Sequence, residues 1–155
     1  MYRFLTLLVI ATLAGPALAG APTECSGPAG EARLWVKVTN IRNDRGQVVI
    51  NVYGDKPDEF LEASARVARE RVPAKAGAIE ACIPVPKAGA YAISVFHDED
   101  GNRKVTKNLL GMPVEGYGFS NDAPVSMMPP GPPRYTDARF QVGTGLTALS
   151  ITMRY

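Results

Sequence analysis

The sequence predicts an all-β chain: a single antiparallel β-sandwich of about seven short strands. Three observations carry this. Apolar and polar residues alternate over short stretches, as where Leu34, Val36 and Val38 alternate with Trp35, Lys37 and Thr39. Turn formers punctuate the chain, with 15 glycines and 13 prolines in 155 residues, which leaves little room for long helices. The composition is 46% hydrophobic and 21% charged, which is globular rather than disordered.

The first 19 residues read as a signal peptide. Arg3 supplies a positive charge, Phe4 to Ala14 form an apolar run, and Ala17-Leu18-Ala19 fits an A-x-A cleavage site. The apolar run is too short to span a bilayer, which takes roughly 20 such residues. Cys25 stands too far beyond the cleavage site for lipid attachment. The mature chain is expected to start near Gly20, to be periplasmic or secreted, and to keep no membrane anchor. About 136 residues remain, the size of one ordinary domain.

The elements follow in order. Residues 20–32 are rich in Gly, Pro and Ala and read as an extended N-terminal arm. The strand from Arg33 is followed by the turn Asn43-Asp44-Arg45-Gly46 and by a second strand, Gln47 to Tyr53. Together these read as a hairpin, with Gly46 suited to positive φ. Pro57 to Glu62 reads as a short helical turn, with proline early and acids near its start. A strand from about Arg66 to Val72 follows, although the i,i+4 pairs Glu62–Arg66 and Arg66–Glu70 also fit a helix. Ala78 to Val85 is a strand, and Pro86 to Gly89 a turn. Ala90 to His97, the most apolar strand, reads as central. Asp98 to Asn108 is a polar loop, and Leu109 to Thr136 a long, proline-rich irregular loop. Ala138 to Val142 and Leu146 to Tyr155 close the domain as strands.

The formal net charge of +2 carries no electrostatic footprint for nucleic acid. Cys25 and Cys82 are the only two cysteines. In an oxidising compartment an isolated pair of this kind is expected to form a disulfide. No C-x-x-C spacing favours a metal or redox role.

One constellation could carry chemistry: His97-Asp98-Glu99-Asp100-Gly101-Asn102-Arg103-Lys104. Oxygen-bearing side chains at Asp98, Asp100 and Asn102 alternate as at the start of a calcium loop. The rest of that pattern is poor. Arg103 stands where the sharp-turn glycine belongs, and Arg103, Lys104 and Lys107 offset the acids. The reading preferred here is a turn capped by its own side chains, with calcium bound weakly or not at all. If calcium does bind tightly, Glu115 and Asp122 are the candidates to complete the site. His97 is the sole histidine. It is read as a structural hydrogen-bonding residue, with a general base or metal ligand as the alternative. Further along, Tyr117 and Phe119 could stack on a flat ligand, or pack down and cover the end of the sandwich. Leu109, Leu110 and Met112 are expected to bury at that same end. This would bring Tyr117, Phe119 and Asn121 beside His97, Asp98 and Asp100 in a single site.

The strings Gly89 to Asn102 and Asn108 to Asn121 resemble the bacterial family called domain of unknown function 2141. So do Asn40-Ile41-Arg42-Asn43, Gly46-Gln47-Val48, Pro132-Pro133 and Phe140. The resemblance runs over nearly all of residues 33–155. It implies an exported protein and a small prealbumin-like or carboxypeptidase-regulatory-like sandwich, and it brings no activity. The family pattern places glycine and aspartate where Arg103 and Thr106 stand, so any cation cage here is incomplete.

Two functional readings follow. The first is an exported, non-enzymatic module that binds a small ligand or a periplasmic protein through the 97–122 surface. Its ligand-binding residues would be His97, Asp98, Asp100, Asn102, Tyr117, Phe119 and Asn121. The second is a small metal-assisted hydrolase using His97, Asp98 and Asp100. No cofactor is expected beyond weak calcium at Asp98, Asp100 and Asn102.

Overall fold

A computed structural model describes Cys25 and residues 31–109, 113–127 and 129–155. The signal peptide and all of the N-terminal arm except Cys25, Glu31 and Ala32 lie outside the described residues, as do Leu110 and Met112; Leu109, expected to bury, is instead fully exposed. Two sheets face each other. One has three strands in the order β10-β1-β4, from β10 (Gly145–Thr152), β1 (Ala32–Ile41) and β4 (Gly77–Pro84). The other runs β3-β2-β5-β6, from β3 (Arg66–Pro73), β2 (Gln47–Tyr53), β5 (Gly89–Asp98) and β6 (Tyr117–Phe119), with β9 (Phe140–Val142) also paired to β5. A small ribbon joins β7 (Ser126–Met127) to β8 (Pro130–Gly131), and a single helical turn, α1, covers Tyr135–Ala138.

The all-β sandwich follows from alternation. Leu34, Val36 and Val38 of β1 meet Val48, Ile50 and Val52 of β2 and Ile93 and Val95 of β5 across one buried core. Each such side chain removed from water contributes about 1.5–3 kcal/mol. The disulfide between Cys25 and Cys82 ties the segment before β1 to β4.

Several expectations are corrected. β1 and β2 do not form a hairpin: β1 pairs with β4 and β10, whereas β2 pairs with β3 and β5. The turn at Asn43–Gly46 instead carries the chain from one sheet to the other, so the apolar faces of the two strands oppose each other. Alternation dictates which face is buried, but not which strand lies alongside. Gly46 does take positive φ, at +66°, and a side chain there would strike the carbonyl of Asp98. The pairing is not wholly antiparallel, because β10 runs parallel to β1 from Ala32↔Gly145 to Thr39↔Thr152.

The helical turn near residue 57 is two 3-10 turns, Pro57–Glu59 and Ala63–Ala65. β3 then prevails over the helical i,i+4 pairs, because the edge of β2 offers it a full ladder. The strand expected over 138–142 is shorter, since α1 uses Ala138 before β9 starts at Phe140. The long irregular loop contains β6, which pairs with β5 at Ser94↔Phe119 and Phe96↔Tyr117.

β6 also explains the string Glu115-Gly116-Tyr117-Gly118-Phe119. Tyr117 exchanges backbone hydrogen bonds with Arg154, so β6 lies between β5 and the segment after β10. A Cβ on Gly116 would meet the Tyr155 ring at 2.5 Å, and one on Gly118 would meet Ile151 Cγ2 at 2.8 Å. Glycine on the inner face lets the sheets close. Tyr117 and Phe119 alternate to the outer face.

Candidate functional site

The loop after β5 starts from buried groups. His97 and Asp98 are fully buried, and Glu115 nearly so. Both ring nitrogens of His97 are engaged: Nε2 lies 2.7 Å from the Arg45 carbonyl, and Nδ1 2.9 Å from the Tyr155 hydroxyl. A carbonyl only accepts, so Nε2 carries a proton. In the neutral ring Nδ1 then accepts from Tyr155. This is the structural reading of His97.

Asp98, Asp100 and Glu115 each bring an oxygen within 4.8 Å of the others. These oxygens already accept protein hydrogen bonds. Asp98 takes the Gln47 amide at 2.9 Å and the Arg103 N–H at 3.2 Å. Glu115 takes the N–H groups of Glu99 at 3.0 Å and Thr106 at 2.9 Å. Asp100 takes the Asn102 N–H at 2.9 Å and its side-chain amide at 2.8 Å. Together they make a turn capped by its own side chains. Of the two distant acids, Glu115 joins this group. Asp122 is elsewhere, accepting from the backbone N–H and the hydroxyl of Thr152. Asn121 donates to the carbonyls of Asp137 and Arg139 and pins α1.

The loop's positive charges do not neutralise its acids. Glu99 is bound by Arg42 at 2.7 Å and Asn43 at 3.0 Å. Burial opposes its ionisation, but those hydrogen bonds and the Arg42 charge prevail and hold its carboxyl below the usual range. Arg103, Lys104 and Lys107 line a cavity of about 570 Å³ over the outer face of the larger sheet. Its floor includes Asn51, Ser94 and Phe96, with Arg66 and Arg69 on β3 and Tyr117 and Phe119 on β6. Pro113, Val125, Ser126 and the run Pro130 to Pro132 wall it. The five cationic side chains face no carboxylate among the described lining residues.

Three strands fix the floor. Arg69 Nε donates to Asn51 Oδ1 at 2.8 Å, and Asn51 Nδ2 donates to Ser94 Oγ at 3.3 Å. Burial, and then the like charges of Arg66 and Arg71, lower the Arg69 guanidinium below its ordinary value. The Nε of Arg66 is buried without a hydrogen-bond partner.

The seven residues expected to bind one ligand are therefore divided. Tyr117 and Phe119 reach the cavity, whereas His97, Asp98, Asp100, Asn102 and Asn121 are not among its lining residues. Tyr117 and His97 are neighbours in the fold, since His97 N–H donates to the Gly116 carbonyl at 2.8 Å. However, Tyr117 pairs with Phe96, so its side chain lies on the opposite face of the sheet from His97. Sequence reading missed Arg66 and Arg69. Their signal was the string Arg66-Val67-Ala68-Arg69-Glu70-Arg71, which as a strand puts Arg69 and Arg71 on one face; the register shift between Val52 and Tyr53, which the sequence does not announce, brings Arg66 to the same face.

A family model described as "Uncharacterized protein conserved in bacteria (DUF2141)" matches residues 36–150. This chain belongs to that family. Comparison with curated proteins found no match, and comparison with solved structures found none either. The matched DUF2141 region contains the whole capped turn and every described lining residue of the outer-face cavity. It excludes Cys25 and Tyr155.

Proposed function

We propose that this DUF2141 protein is an exported, non-enzymatic module that binds a small anionic ligand in the outer-face cavity. One observation carries the reading: five cations converge on a concave surface where no described carboxylate balances them. A field of one sign within low-dielectric walls attracts the opposite charge, and a cavity of this size suits a small organic molecule. Arg66 and Arg69 line the cavity, and a guanidinium carries several N–H donors suited to such a ligand. The signal peptide read from the sequence supports a periplasmic or secreted location. The alternative hydrolase would need His97 to meet a substrate, yet its ring is buried and both nitrogens are engaged.

A pair of fluorescent probes tests this. A naphthalenesulfonate is expected to bind saturably with one-to-one stoichiometry, whereas a naphthyl-trimethylammonium of equal ring size is not. Arg66→Gln and Arg69→Gln are each expected to weaken the anion at least tenfold, and added salt to weaken it further. Equal binding of both probes, or indifference to both substitutions, overturns the reading.

A further inference from the structure

Resting on that reading, we infer that the ligand is an anionic amphiphile: a single medium-length hydrocarbon chain ending in a carboxylate or similar anion, laid across the strands. The floor of the cavity is polarised across the strands. In the order β3-β2-β5-β6, Arg66 and Arg69 stand on one flanking strand and Tyr117 and Phe119 on the other. Neighbouring strands are about 4.8 Å apart, so the cationic and aromatic edges are separated by roughly 14 Å.

The two edges of the floor differ in chemistry, while Arg103, Lys104 and Lys107 enter the cavity from the loop that joins β5 to β6. At the β3 edge, Arg69 is held by Asn51 through Nε, and Arg66 Nε has no partner. At the β6 edge, Tyr117 and Phe119 pack with Leu61 and Val125 in a second apolar cluster. Leu61 and Val125 also line the cavity. Leu61 takes φ of +72°, a strained conformation for a branched side chain, at this wall. A compact inorganic anion would use one edge and leave the aromatic end wet. A molecule charged at one end and apolar at the other matches both. The width of roughly 14 Å and the volume of about 570 Å³ fit one chain of roughly eight to twelve carbons rather than a two-chain lipid.

The test is titration of the full mature protein with alkyl carboxylates from six to fourteen carbons, all below their micelle concentrations. Alkyl-trimethylammonium ions of the same lengths serve as the comparison. Carboxylate affinity is expected to rise about fourfold per methylene up to the length that fills the cavity and then to level off, with the ammonium series at least tenfold weaker. Arg69→Gln is expected to weaken every carboxylate at least tenfold, and so to reduce its preference over the ammonium, while the chain-length slope persists. Val125→Asn, at a half-buried wall position, is expected to reduce the slope while the preference persists. Thermal melts establish that both variants are folded. Carboxylates that bind with no dependence on chain length overturn the amphiphile and leave the anion-binding reading standing. Failure of every carboxylate and of the naphthalenesulfonate overturns both.

Discussion

The Nδ1 of His97 lies 2.9 Å from the hydroxyl oxygen of Tyr155, and that oxygen also accepts the backbone N–H of Arg42 at 3.0 Å. One phenol thus joins three segments: the end of β5, the connection after β1 and the residues after β10. The Arg42 guanidinium lies over the Tyr155 ring at 4.4 Å and also binds Glu99. The sole histidine is therefore a junction at one end of the sandwich, and the cavity proposed to bind a ligand lies on the other face of its strand.

Tyr155→Phe keeps the ring and removes the hydroxyl. It leaves Nδ1 of a fully buried histidine without its partner, at an expected cost of about 1–3 kcal/mol. Urea unfolding measures this. Binding in the outer-face cavity is expected to be unchanged, because Tyr155 does not line it. A stability change below about 0.5 kcal/mol, the size of an ordinary surface substitution, would mean that His97 does not depend on this bond.

Cys25 and Cys82 are 57 residues apart in the sequence. Closing a loop of that length in the unfolded chain is worth roughly 4 kcal/mol. Cys82→Ala is expected to lose on the order of 2–5 kcal/mol, and reduction of the native protein to produce a similar loss. Thiol counting in denaturant is expected to find no free thiol before reduction. Two reactive thiols there would refute the pairing.

Strand positions were legible in the sequence because alternation reports burial directly. Leu34, Val36 and Val38 announced a buried face, as did Val48, Ile50 and Val52. What alternation does not report is partnership. The same pattern serves a hairpin or a crossing between sheets, and here the chain crosses. The cavity was hidden for this reason: Arg69 and Phe119 are 50 positions apart, and only the order β3-β2-β5-β6 places them on one floor. The capped turn was more visible, since Asp98, Asp100 and Asn102 are local. Its third carboxylate depended on the chain path, which brings Glu115 back and takes Asp122 away.

Tyr135 links alkaline pH to stability. Its hydroxyl donates to Asp55 at 3.0 Å. Burial first, and then that hydrogen bond and the Asp55 charge, push its pKa from 10.0 up to about 12. A raised value means that the folded state favours the neutral phenol. This contribution is complete below pH 10, the unfolded value, and is lost as pH rises toward about 12. Stability of the native protein is expected to fall across that window, and Tyr135→Phe to flatten the fall while lowering stability at pH 7 by about 1 kcal/mol. Urea midpoints at several pH values measure both effects. An unchanged slope in the variant would assign the alkaline loss to other groups.

Arg103 takes φ of +65°, a left-handed conformation that costs an L-residue roughly 1–2 kcal/mol and glycine little. Thr106 Oγ1 accepts the Asn102 amide at 2.8 Å and lies 3.4 Å from Asp100 Oδ2. An aspartate at 106 would therefore add a fourth carboxylate beside Asp98, Asp100 and Glu115. Calcium takes six to eight oxygen ligands and is bound more tightly as carboxylates accumulate. In the native chain the three carboxylates are occupied by N–H donors, so calcium is expected to bind weakly or not at all. Arg103→Gly combined with Thr106→Asp is expected to bind it at least tenfold more tightly. At calcium a hundredfold above Kd, folding would gain about 2.7 kcal/mol. Titration calorimetry and calcium-dependent melting read this, and adding Asp98→Asn to the double variant is expected to abolish the gain. Tight binding by the native protein would show that its N–H-capped carboxylates already form a working cage. A double variant with no gain would show that the loop cannot turn its oxygens inward around one ion.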